Sequence, residues 1–339
     1  MLSIKKGVQD KSEVGPSFVP NNRDFGGHAS DPPSSRIIGT SEGTHQTSVF
    51  NLPHSEFCSN IAALKKRLKQ ALHIKSANIV DTSEAVLLLV AGSTHCSFAL
   101  MSSVSNELVE FGCFTGGDEE EDYSAFFEEQ EALRKNYHQS VIGYDIPVSV
   151  FIPAAYYNEA DAGLHLEMQY GADEHPEVIS DILTGYNLCN VYRLPGNLKA
   201  AARKFTNGRQ LHLYSVLLKN FSVSAKEVVL ADFKTDEFTV VVSGKSKLLL
   251  AQTWSYSAPA DVLYYLLKIC RQFGLSQQET TVVLSGLIEK DSAVYRELYK
   301  YFVCLEFDNL HGDIKLADAL AEYPAHYFST LSKLGACVS

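Results

Sequence analysis

Residues Val228–Tyr256 read VVLADFKTDEFTVVVSGKSKLLLAQTWSY: three apolar, strand-length runs separated by two short polar stretches. β-branched and aromatic residues fill the runs, and Lys234–Asp236 and Gly244–Ser246 interrupt them, a pattern that predicts consecutive hairpins. Downstream, Val262, Tyr265, Leu266, Ile269 and Phe273 recur at helical spacing behind Asp261, which marks the first turn of an amphipathic helix. VVLSGLI (282–288) then predicts a buried strand. Tyr295, Leu298, Tyr299 and Phe302 mark a second helix, and CLEF (304–307) a last strand. The order is βββαβαβ.

The same order is legible upstream. AVLLLVAG and HCSFALM, joined at Gly92-Ser93-Thr94, precede a third strand around LVEFGCF, and the acidic run Asp118–Asp122 leads into a helix through Tyr137. Carboxylates in a first helical turn are stabilised by the macrodipole; adjacent ones point in different directions, so the run predicts no metal site. VSVFIPAAYY predicts a strand and a turn at Pro153, followed by a helix around Ala160–Tyr170, a strand at NVYRLP and a helix at NLKAAARKF; LHLYSVLL (211–218) is read as opening the second half. An α/β chain of two duplicated βββαβαβ lobes with a cleft between them is the expected fold, its lobes at 79–210 and 211–339.

Residues 1–48 are rich in Gly, Ser, Pro, Asn and Asp and carry few large apolar side chains. Such a segment buries too little surface to offset its chain entropy, so a disordered tail is predicted. Phe57, Ile61, Leu64, Leu68 and Leu72 predict a basic amphipathic helix from Ser55 to His73, in a helix-and-linker segment at 49–78.

The 339 residues carry a formal charge of −11, a surface that repels phosphate backbones and argues against nucleic-acid partners. No apolar run approaches the roughly 20 residues of a transmembrane helix. The seven cysteines are scattered and include no CxxC, which predicts free thiols in a reducing cytoplasm and no zinc site. Gly244-Lys245-Ser246 imitates the end of a phosphate-binding P-loop, but Thr239 stands where that motif needs its first glycine. Leu164-His165-Leu166-Glu167 lacks the second histidine of a metalloprotease helix.

FIPAAYY, LHLYSVLL, LLLAQTWSYSAPADVLYYLL, VVLSGLIEKDSAVYRELYKYF and CLEF together resemble a bacterial family of unknown function with the actin-like ATPase, ribonuclease H-like fold. The resemblance spans about Val80 to Leu334. It implies a nucleotide cleft built from two hairpin turns with an acid before glycine, plus a glycine-bearing adenosine turn. Here the turns are Val90–His95, Leu230–Thr235 and Leu284–Leu287.

The first turn has Gly92, Ser93 and Thr94 but no carboxylate, and the second keeps Asp232 and Thr235 but places Phe233 and Lys234 where phosphate needs bare backbone. Lys234 is expected to neutralise Asp232. The third turn has Ser285 and the single Gly286. These departures predict a non-catalytic scaffold or partner-binding pseudo-ATPase, with no catalytic residues, no metal and no cofactor, acting through an unidentified protein partner or by self-association. The alternative is a divergent Mg-ATP-dependent ATPase or phosphotransferase using the inter-lobe cleft. In that case Gly92, Ser93, Thr94, Asp232, Thr235, Ser285 and Gly286 hold the nucleotide.

Overall fold

The computed structural model describes residues 67–338 apart from 78–79, 117–121, 173–176, 206, 221–225 and 245–246. The predicted tail, most of the basic helix, the run Asp118–Glu121 and Lys245-Ser246 lie outside the described residues.

The first half runs β1 (Lys69–Lys75), β2 (Ala85–Gly92), β3 (His95–Ser102), β4 (Glu107–Thr115), α1 (Tyr123–Glu129), α2 (Glu131–Arg134) and β5 (Gln139–Asp145). It continues through β6 (Ser149–Pro153), α3 (Ala162–Tyr170), β7 (Val178–Leu183), β8 (Leu188–Arg193), α4 (Gly196–Ala202), β9 (Gly208–His212) and α5 (Leu213–Lys219). The second half runs β10 (Val228–Phe233), β11 (Glu237–Gly244), β12 (Lys247–Ser255), α6 (Pro259–Phe273), β13 (Thr281–Gly286), α7 (Ala293–Leu298) and β14 (Leu305–Phe307). The short β15 (Lys315–Leu316), α8 (Asp318–Ala321) and α9 (Ser329–Gly335) close the chain.

The first sheet is ordered β1-β4-β3-β2-β5-β9, with β15 added beside β4, and the second is ordered β12-β11-β10-β13-β14. Without β1 and β15 the two orders are the same. In each, three antiparallel strands are followed by two parallel ones, reached through helical crossovers as parallel pairing requires. The duplicated lobes are therefore present, but the strands read at VSVFIP and NVYRLP are not part of the first sheet: they are β6 and β8 of a third sheet, β6-β8-β7, inserted into the first lobe together with α3, and the parallel positions of the first sheet belong to β5 and β9.

Two further expectations are corrected. Lys69–His73 is not helical: β1 pairs antiparallel with β4, and Ile74 is buried. From Leu72 to Ile74 the apolar period is two, which suits a strand beside β4. LHLYSVLL does not open the second lobe: Leu211-His212 ends β9 beside β5, and Leu213–Leu218 is helical in α5.

The lobes share an apolar middle layer. Val86, Leu88 and Val90 of β2 and Leu230 and Val241 of the second sheet join one cluster through Val216 and Leu217 of α5 and Leu331 and Leu334 of α9. Every residue of α9 is buried. The outer faces are covered separately, the first sheet by α1, α2 and α4 and the second by α6 and α7. Among the described residues the six cysteines are free, and no helix is long and apolar enough to cross a membrane.

Candidate functional site

Strands β2, β5, β10 and β13 end at the junction of the lobes and bring Gly92, Asp145, Phe233 and Gly286 there. The carboxyl ends of parallel strands are where open α/β sheets place ligands. In this chain that junction holds a buried charge cluster.

Asp145, 5% exposed, receives Lys234 from the opposite lobe in an ion pair, and His95 Nε2 lies 3.1 Å from the same oxygen, Oδ2. Asp145 Oδ2 and both His95 ring nitrogens are buried, so these contacts are shielded from water. Burial would push the Asp145 carboxyl upward, but Lys234 and then His95 outweigh it and hold it well below the usual carboxylate range. Burial likewise opposes the Lys234 charge, yet Asp145 first and Asp232 next raise its pKa above the ordinary value.

The ammonium also donates to Thr239 Oγ1 at 2.6 Å. Thr239 in turn meets Thr253 Oγ1 at 2.8 Å, and Thr253 meets the hydroxyl of Tyr214 in α5 at 3.1 Å. Lys234 thus pairs with Asp145 across the cleft and not with Asp232 as the sequence suggested.

Asp232 serves another role. Its Oδ1 accepts hydrogen bonds from Ser285 Oγ of β13 and Thr330 Oγ1 of α9, both at 2.7 Å. The acid therefore ties two strands to the C-terminal helix. Gly286 has a structural reason as well: its φ is +75°, and an added Cβ would stand 2.1 Å from the Phe233 carbonyl oxygen, so glycine is required by β10 packing. The Phe233 ring packs in the core of the second lobe, 2% exposed and stacked on Phe238.

Of the residues singled out from sequence, Asp232, Thr235 and Gly286 share a cavity of about 50 Å³ with His95, Cys113 and Thr330. Ser285 joins them through Asp232. Gly92, Ser93 and Thr94 do not line it. Gly92 instead makes room for the His95 ring, whose Cε1 would lie 2.3 Å from an added Cβ, and Thr94 Oγ1 donates to Glu237 Oε1 of the other lobe at 2.7 Å. Burial, with Asp232 adding to it, pushes the Cys113 thiol up to about 11, so it is no ready nucleophile.

Sequence reasoning missed His95, Asp145, Thr239 and Thr330. Asp145 did carry a signal: a lone acid ending an apolar run, SVIGYD, at the carboxyl end of a parallel strand. Thr330 carried none, because α9 is distant in sequence from every turn it meets.

The duplicated sheets and the junction between them define an actin-like ATPase fold. A Bacteroides thetaiotaomicron protein of actin-like ATPase fold and unknown function is similar over 76% of this chain and 99% of its own, at 17% identity and a TM-score of 0.59. The structure of the PilM–PilN type IV pilus biogenesis complex covers 76% of this chain and 99% of the matched one, at 12% identity and a TM-score of 0.49. The cytoplasmic domain of EpsL, from the type II secretion system of Vibrio cholerae, covers 75% and 96% at 11% identity and a TM-score of 0.42. No curated protein matches the sequence. Residues 75–304 match the family described as "Protein of unknown function (DUF3822)", and the chain belongs to that family.

Proposed function

We propose that this protein is a non-catalytic member of the actin-like fold, a pseudo-ATPase that acts in the cytoplasm as a scaffold through protein contacts. The observation that carries the reading is the buried Lys234–Asp145 pair, a fixed ammonium and its counter-charge in the cleft that the resemblance would assign to a metal–phosphate group. An Mg–nucleotide fits these residues poorly. The Lys234 ammonium is already held by Asp145 and Thr239, and Asp232 Oδ1 already accepts two hydroxyl hydrogen bonds. The remaining space, about 50 Å³, is room for roughly three or four waters.

Thermal denaturation with millimolar Mg–ATP or Mg–ADP tests the reading. A nucleotide present at about 100 times its Kd would stabilise the chain by about 2.7 kcal/mol and raise the melting temperature by several degrees; the expected shift is none. A clear rise would favour the alternative, a divergent ATPase, for which the position of Asp232 on the cavity wall is the supporting observation. That alternative requires Lys234 to leave Asp145 before phosphate could approach the turn.

A further inference from the structure

Strand β12 forms one edge of the second sheet, and among the described residues nothing pairs with its outer side. It is nine residues long, against an ordinary length of about 5–6. From Leu248 to Ser255 it contains neither a charge nor a proline, two of the devices that keep edge strands from pairing. Its side chains from Leu248 to Trp254 are all half-buried. The bulge opposite Val242–Ser243 is its one irregularity, and it lies toward the Lys247 end. Beside the edge, Trp254 stacks on Tyr265 at 4.9 Å, and Tyr265 meets Tyr264, which is 53% exposed. The open edge is therefore flanked by an aromatic shoulder.

The charges at the two ends of this edge are opposite. Exposed Lys247 begins the strand, whereas its far end, Ser255-Tyr256, lies beside Glu237 and exposed Asp236. We propose that β12 is the self-association surface of this protein and pairs antiparallel with β12 of a second copy about a twofold axis near Ala251. An isologous contact of this kind is self-complementary by symmetry. It opposes Lys247 to Ser255 of the second copy and brings each lysine toward the acidic pair one strand further in, about 10 Å away in backbone terms and within reach of extended side chains. It also sets Leu248 across from Trp254 and joins the two five-stranded sheets into one. A strand from an unrelated protein could use the same edge, but the basic-to-acidic polarity along β12 matches the antiparallel image of β12 itself.

The full chain, studied by sedimentation velocity across micromolar concentrations, is expected to show a concentration-dependent monomer–dimer equilibrium. Gln252→Lys, which sets like charges near the axis, and Lys247→Asp each raise the dimer dissociation constant about tenfold or more. Combining Lys247→Asp with Asp236→Lys recovers most of the affinity. Circular dichroism and melting of each variant establish that the monomer still folds. A wild type that stays monomeric throughout overturns the proposal and leaves the edge to a strand from another protein. Folded variants that dimerise as tightly as wild type overturn it equally.

Discussion

Lys234 lies in the turn after β10 that the sequence likens to a phosphate turn, and its charge is used across the cleft on Asp145. A buried pair of this kind contributes little relative to an apolar replacement, yet removing one partner strands the other. Lys234→Met should therefore cost about 3–5 kcal/mol, read from urea unfolding, and Lys234→Met with Asp145→Leu should recover most of that loss. Additive losses in the double variant would mean that the two side chains do not act as a pair. The Asp145 contribution, from a depressed pKa, is present above the ordinary carboxylate pKa and lost only as pH falls through the depressed value. The Lys234 contribution, from a raised pKa, is present below the ordinary lysine pKa and lost as pH rises through the raised one. The latch is thus intact throughout the neutral range. Sequence alone misassigned the partner of Lys234 because Asp145 approaches from the other lobe, 89 positions earlier in the chain.

Elements were legible where periodicity and burial agree. The second lobe follows its sequence strand for strand, since β10 and β11 alternate between two buried faces and α6 is amphipathic. In the first half β1, β5 and β7 were obscured, and β9 was read as opening the second half. β1 continues a helical-looking apolar spacing but becomes a strand because β4 offers an edge, and β7 places Asp181 in its middle. That aspartate is buried because it accepts the His212 backbone N–H at 2.7 Å. His212 itself caps α5 by accepting from Tyr214 N–H and approaches the Ile146 carbonyl oxygen at 3.0 Å with Nε2, so the ring is held neutral. Burial lowers its pKa to about 4. A base with a depressed pKa stabilises the fold above its unfolded value and loses that contribution as pH falls through the folded one. Between pH about 6.5 and 4 this should remove roughly 3 kcal/mol of stability. Asp181, its pKa raised by burial, works in the opposite direction, so the readout is the difference between wild type and His212→Gln. Parallel pH profiles for the two would refute the assignment.

At the scale of the molecule, the two lobes are joined by a common apolar layer from α5 and α9 and by polar links at Thr94–Glu237, Asp145–Lys234 and Asp232–Thr330. All three links are made by the chain's own side chains. The architecture was legible because hydrophobic order survives in the sequence, whereas the internal closure depends on contacts between distant segments that no local pattern reports. The most direct test of this account is a calorimetric titration of the full chain with Mg–ATP, paired with an assay for phosphate release. A pseudo-ATPase scaffold gives no heat of binding at micromolar protein and no turnover. Saturable micromolar binding, with turnover abolished by Asp232→Ala, would contradict it.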